Sequence, residues 1–88
     1  MTPLHLAAKH EHLDVTRVLI SEFKANVNAR DGSGLTPLHL TVRHGHLDVV
    51  RVLIAEWKGE INARDHSGLT LLHLAAQYGH FDVVRVLA

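Results

Sequence analysis

"TPLHLTVRHGH" at residues 36–46 stands between two near copies of itself, "TPLHLAAKHEH" at 2–12 and "TLLHLAAQYGH" at 70–80. The threonines that open them, Thr2, Thr36 and Thr70, are 34 residues apart both times. Laid over residues 36–69, residues 2–35 agree at about 23 of 34 positions, far beyond chance for a single period. A pocket for one substrate needs its residues once. A surface built by stacking needs the same residues in every layer.

Each copy parses in the same way. Thr36 suits a helix N-cap, and Pro37 suits the first helical position, where a missing N–H costs nothing. A short helix then runs to Gly45, which fits the left-handed residue that ends helices. Asp48 opens a second helix near its positive end, with Val49, Val52 and Leu53 at helical spacing. Asp48 and Arg51 sit three apart and can pair on the solvent face, as can Asp14 with Arg17 and Asp82 with Arg85. The polar, glycine-bearing runs "NARDGSGLT" (28–36) and "NARDHSGLT" (62–70) read as projecting, hairpin-like turns held by Asp31 and Asp65. One such helix pair cannot hide its apolar stripe from water, so its neighbours must cover it.

Thr2-Pro3-Leu4-His5-Leu6-Ala7 matches the signature T-P-L-H-x-A, and "GHLDVVRVLI" (45–54) and "VNARDGSGLTPLHL" (27–40) follow it in the right order. On these residues the whole chain resembles the ankyrin-repeat family. The resemblance implies an all-α repeat protein, an ankyrin-type α-solenoid of stacked helix-turn-helix units with hairpin-like connecting loops. It divides one 88-residue domain into repeat 1 at about 2–30, repeat 2 at about 31–64 and repeat 3 at about 65–88. It also implies a non-catalytic module for protein–protein interaction, without a cofactor. Thr2, Thr36 and Thr70, Gly45 and Gly79, and the histidines His5, His39 and His73 then take structural roles, the histidines tying each inner helix to neighbouring loop backbone. Partners of the family contact hairpin tips and the exposed face of the inner helix. Here those positions are Arg30, Ser33 and Leu35, then Arg64, His66, Ser67 and Leu69, with Lys9, His10, Arg43, His44, Gln77 and Tyr78 on the helices.

That surface is locally basic although the chain is neutral overall. A concave basic side with Leu35, Leu69 and Tyr78 as apolar anchors suits an acidic peptide or an acidic patch of a protein. The balanced net charge and few aromatics argue against nucleic acid, and no apolar run is long enough to span a bilayer. With no cysteine there are no disulfides, thiolate metal sites or cysteine nucleophile. A soluble, cytoplasmic protein is the expectation. No G-x-S-x-G or G-x-x-x-x-G-K motif is present, and Asp14, Asp48 and Asp82 fall one per layer rather than converging as an acid/base pair does.

Nine histidines in 88 residues invite a metal reading, which the spacing opposes. Packed helices lie about 8–10 Å apart, whereas zinc ligands sit about 2.0–2.1 Å from their ion. The pairs His10-x-His12 and His44-x-His46 straddle a helix end and lack a carboxylate at ligand spacing, so no metal site is expected. His12, His46 and His80 follow the inter-helix turn and are expected to bond locally. If the repeated histidines are held neutral, stability should fall below about pH 6.

Several positions break the pattern. Phe23 and Trp57 stand where the repeat is one residue longer than the ~33 usual for the family, as an aromatic column that either covers the outer helices or grips a partner. Glu11 takes the place of glycine in the first inter-helix turn, which strains it by about 1 kcal/mol if the left-handed geometry is kept. Thr41-Val42 replaces Ala7-Ala8 and Ala75-Ala76, so the middle layer must widen or repack. Neither end carries a polar capping repeat: Leu4, Leu6, Val15, Val18 and Leu19 are expected to be open on one side, and Leu72, Leu74, Val83 and Leu87 on the other. The chain thus reads as an interior excerpt of a longer array or an engineered one, with homo-oligomers forming through its uncapped ends. The alternative to a binding module is accordingly a structural scaffold that self-stacks without an evolved ligand.

Overall fold

Thr2, Thr36 and Thr70 begin three seven-residue inner helices, α1 (Pro3–Lys9), α3 (Pro37–Arg43) and α5 (Leu71–Gln77), in a computed structural model that describes residues 1–87. Ala88, the last residue of the expected third repeat, lies outside the described residues. Each threonine caps its helix reciprocally with the histidine three residues on. The Thr36 hydroxyl oxygen accepts from the His39 N–H at 3.3 Å, while the Thr36 N–H donates to His39 Nδ1 at 3.2 Å. Two of the helix's free donors are satisfied in one move, which is why so short a helix persists. The helices end as their glycines require. Gly45 and Gly79 adopt φ +70° and +73°, and the Gly45 and His46 amides return to the carbonyls of Val42 and Thr41.

The outer helices α2 (Leu13–Ser21), α4 (Leu47–Ala55) and α6 (Phe81–Leu87) carry Asp14, Asp48 and Asp82 in their first turns. Stacking places α3 between α1 and α5, and α4 against α6. Between the layers lies one apolar core: Leu4 and Ala8 from the first pair, Leu38, Val42, Val49, Val50 and Leu53 from the second, Leu71, Leu74, Ala75 and Val83 from the third. Each buried leucine of this kind stabilises by roughly 1.5–3 kcal/mol, and it does so only because a neighbouring layer covers it. Among the described residues no strand forms; the loops are tight turns. The Asp31 carboxylate accepts the Ser33 and Leu35 amides at 2.9 and 3.0 Å, and Asp65 accepts those of Ser67 and Leu69 at 2.9 Å each.

Several expectations need correction. The aspartate–arginine pairs within the outer helices do not form among the described residues. Arg17 instead reaches Glu56 of the next layer at 3.0 Å, and Arg85 lies over the Phe81 ring. The short aspartate side chain is held at the helix start, as where Asp82 accepts the Val83 amide at 2.8 Å, while arginine is long enough to cross layers. Leu4, Leu74 and Val83 are buried, because they face the neighbouring layer rather than the ends. Of the groups expected to be open, Leu6, Val15, Val18 and Leu72 are exposed, and Leu19 and Leu87 are half-buried. The middle layer accommodates Thr41-Val42 by repacking: Val42 joins the core, and the buried Thr41 hydroxyl donates back to the Leu38 carbonyl at 2.8 Å. The aromatic column is also unequal, for Trp57 packs on the core while Phe23 is exposed.

Candidate functional site

The two hairpin tips and the inner helices line an open depression of about 230 Å³. Its walls are Ser33 and Leu35 from the first tip, Asp65, Ser67 and Leu69 from the second, Arg43 from α3, and Leu74, Gln77 and Tyr78 from α5. Seven positions expected to meet a partner thus converge: Ser33, Leu35, Arg43, Ser67, Leu69, Gln77 and Tyr78. Asp65 and Leu74 belong to the same wall although the sequence suggested other duties for them. Leu74 could have been found by its spacing, since it lies three residues before Gln77 on one helix face. Larger depressions exist elsewhere. One of about 410 Å³ runs along Glu11–Val15, a bay lined by a single segment, and one of about 270 Å³ lies beside Thr2, Leu19 and Phe23. Neither gathers groups from several layers, so neither offers the convergent polar contacts a selective site needs.

The cavity has one positively charged wall. The Arg43 guanidinium lies 5.7 Å from the Tyr78 ring centroid, within cation–π range, so tyrosine steadies it. His44 follows Arg43 at the end of α3, and its pKa is held below the usual histidine value by burial first and then by His46, Arg43, Lys9 and His10. Those neighbours come from two layers, Lys9 and His10 from the first and Arg43 and His46 from the second. Arg30 and Arg64 are differently engaged. Arg30 donates to the Gly34 carbonyl at 3.0 Å and to the carbonyl of Arg64, and Arg64 donates to the Gly68 carbonyl at 3.1 Å. The Arg30 guanidinium stitches loop to loop, and that of Arg64 braces its own loop. His66 joins them, its N–H donating to the Ser33 carbonyl at 3.0 Å, with its ring packed on Gly34 so closely that a Cβ there would collide.

The histidines divide into two ladders. In the first, neutral imidazoles accept at Nδ1 from the capping threonine and present Nε2–H to the next loop, as His5 does to the Leu35 carbonyl at 2.8 Å. His39 repeats this with Leu69 facing it, but its buried Nε2 has no partner within hydrogen-bonding distance. Burial holds the His39 pKa below the usual histidine range, outweighing the Leu69 carbonyl that favours the charged ring. His73 makes the Thr70 half of the motif and is exposed.

The second ladder was misread from sequence. His46 and His80 do not bond locally; their Nε2 atoms reach back one layer, to the Lys9 carbonyl at 2.8 Å and the Arg43 carbonyl at 3.1 Å. The inner-helix carbonyls at those ends lack an intrahelical donor, so a histidine from the next layer is a fitting partner. The His10–His12 and His44–His46 rings lie with centroids 6.3 and 5.8 Å apart. Among the described residues no group of three or more histidine or carboxylate side chains could hold a metal ion. No helix of the described residues is long and apolar enough to cross a membrane.

Compared with known families, residues 4–88 match the profile described as ankyrin repeats (three copies). No curated protein matches the chain.

Proposed function

Since the chain belongs to the ankyrin-repeat family, whose members are generally protein–protein interaction modules, we propose that it binds an acidic protein segment in the cavity between the hairpin tips and α5. The family is typically non-catalytic, and catalysis has no part in this reading. Its support is a single juxtaposition: Arg43, braced on Tyr78, lines the same depression as Leu35, Leu69 and Leu74. A carboxylate would meet the guanidinium while an apolar side chain enters the cavity, with Ser33, Ser67 and Gln77 supplying hydrogen bonds. The Asp65 carboxylate is already occupied by two loop amides, which softens its repulsion of an acidic guest.

Selection of displayed random peptides on the 88-residue chain tests this. Enrichment of acidic, apolar sequences is expected, with affinity falling roughly 10- to 100-fold on Arg43→Glu, the size of a lost charge-assisted contact. Selected peptides that bind Arg43→Glu and Tyr78→Ser as tightly as the parent chain would remove the site.

A second reading has its own observation. Leu6, Val15 and Val18 on one end and Leu72 on the other leave apolar side chains in water, which favours self-association of the chain. Arg43→Glu lies away from both ends and should leave that association intact.

A further inference from the structure

We propose that copies of this chain stack head to tail, the outer face of the first helix pair seating on the outer face of the third in the same register that joins the layers within one molecule. This rests on the self-association reading above and adds to it which face meets which, and through which atoms.

Within the molecule, one helix pair already packs on the next twice. Leu6 is 48% exposed, while its counterparts one and two periods on, Leu40 and Leu74, are 3% and 5% exposed. Val15 is 49% exposed, and Val49 and Val83 are 0%. The only difference is a layer packed on that side. On the opposite face the order reverses: Leu72 is 44% exposed, whereas Leu4 and Leu38 are 1%. Ala76 is exposed where its counterparts Ala8 and Val42 are 0% exposed, and Val84 is half-buried where Val50 is 0%. So one end displays the surface that α3 and α5 bury toward the preceding layer, and the other displays the surface that receives it. An end-to-end pairing of like faces would instead set Val15 against Val15, with no precedent in the fold.

The polar contacts agree with this register. Three periods of 34 residues carry one copy onto the next. His46 and His80 bond the carbonyls of Lys9 and Arg43, so the next rung sets His12 of one copy on the Gln77 carbonyl of its neighbour. His5 bonds the Leu35 carbonyl, and the same step brings His73 to the Met1 carbonyl of the copy above. Arg17 pairs with Glu56, and the corresponding rung is Arg85 with Glu22. The His46 and His80 contact, which recurs within the molecule, and the single His5 and Arg17 contacts thus all find a group of the required type across one junction. Such a contact is heterologous, and it grows into an open fibre rather than closing as a two-fold dimer.

Sedimentation velocity on the 88-residue chain and two blocked variants tests the register. Val15→Lys blocks one face and Leu72→Lys the other; both residues are exposed, and circular dichroism checks that the helices persist. The parent chain is expected to grow beyond a dimer as concentration rises through the micromolar range. Each variant alone should remain monomeric, and the two mixed in equal amounts should form a dimer that grows no further. Arg85→Glu should weaken growth several-fold, and Arg85→Glu with Glu22→Arg should recover it. A parent chain that stays monomeric overturns self-association itself. A Val15→Lys chain that dimerises alone leaves self-association standing and overturns the head-to-tail register.

Discussion

Replacing Gly45 by alanine should destabilise the chain about twice as much as the same change at Gly79. The two occupy one turn in successive layers with nearly equal backbone, φ +70° and +73°. A Cβ in the left-handed region raises the energy by about 1–2 kcal/mol, offset by ~0.4–1 kcal/mol because glycine loses more freedom on folding. Gly79→Ala therefore has a net penalty of about 1 kcal/mol, since its Cβ meets nothing within 4 Å. At Gly45 the Cβ would lie 2.7 Å from Cε1 and Nδ1 of His80, so the ring must move. Movement breaks the His80 hydrogen bond to the Arg43 carbonyl, a further loss of about 1 kcal/mol. Urea melts should show a Gly45→Ala penalty near 2 kcal/mol, and His80→Ala as background should reduce it to the Gly79 value. Equal penalties at both glycines, or no effect of the His80→Ala background, would refute the interlayer role of His80.

The first copy of that turn supplies the opposite change. Glu11 sits at φ +61°, and its carboxylate lies 3.3 Å from His46 Nδ1, an ion pair only when that imidazole is charged. Glu11→Gly should stabilise by about 1 kcal/mol at pH 8, raising Tm by about 4–8 °C; a lower Tm would count against the strain. Lys24 and Lys58 share the left-handed geometry at φ 56° and 54°, so Lys24→Gly with Lys58→Gly should raise stability by ~1–2 kcal/mol in calorimetry, and no gain would remove that reading. Acid should loosen the stack through His39. Its folded pKa is depressed, so the neutral ring's contribution is full above the ordinary value of about 6.5 and is lost as pH falls below it. A urea midpoint unchanged between pH 7.5 and 5.5 would contradict this.

What the sequence made legible was whatever every layer does for itself. The Thr–Pro–Leu–His phrase carries its own cap, turn and helix within a dozen residues, so Thr36, His39 and Gly45 could be assigned without knowing their neighbours. The relations between layers were harder. His46 holds the same repeat position as His12 and His80, and nothing local says that its partner is a carbonyl 37 residues earlier. Arg17 likewise has Asp14 at helical pairing distance, yet its partner Glu56 lies 39 positions on. Phe23 and Trp57 show the same limit in a different form. They stand at one repeat position, but only Trp57 packs on the core.

Positions that vary between copies are free of stacking, and Arg43, Gln77 and Tyr78 of the candidate site were legible on that rule; Ser33 with Ser67 and Leu35 with Leu69 line it although they repeat unchanged. The arginines tested that rule. Arg30 and Arg64 are alike, and each guanidinium is held by loop carbonyls, as a shared structural residue should be. Arg43 is the exception at its position, with Lys9 before it and Gln77 after it. Its neighbour Tyr78 likewise replaces His10 and His44. The two unlike residues meet in the lining of the depression, where Arg43 has an aromatic face rather than a carbonyl to hold it. A guanidinium braced in that way keeps its donors available to an incoming carboxylate, whereas one bonded to the backbone does not. On that physical ground, Arg43 rather than Arg30 or Arg64 is the residue whose reversal should abolish partner capture.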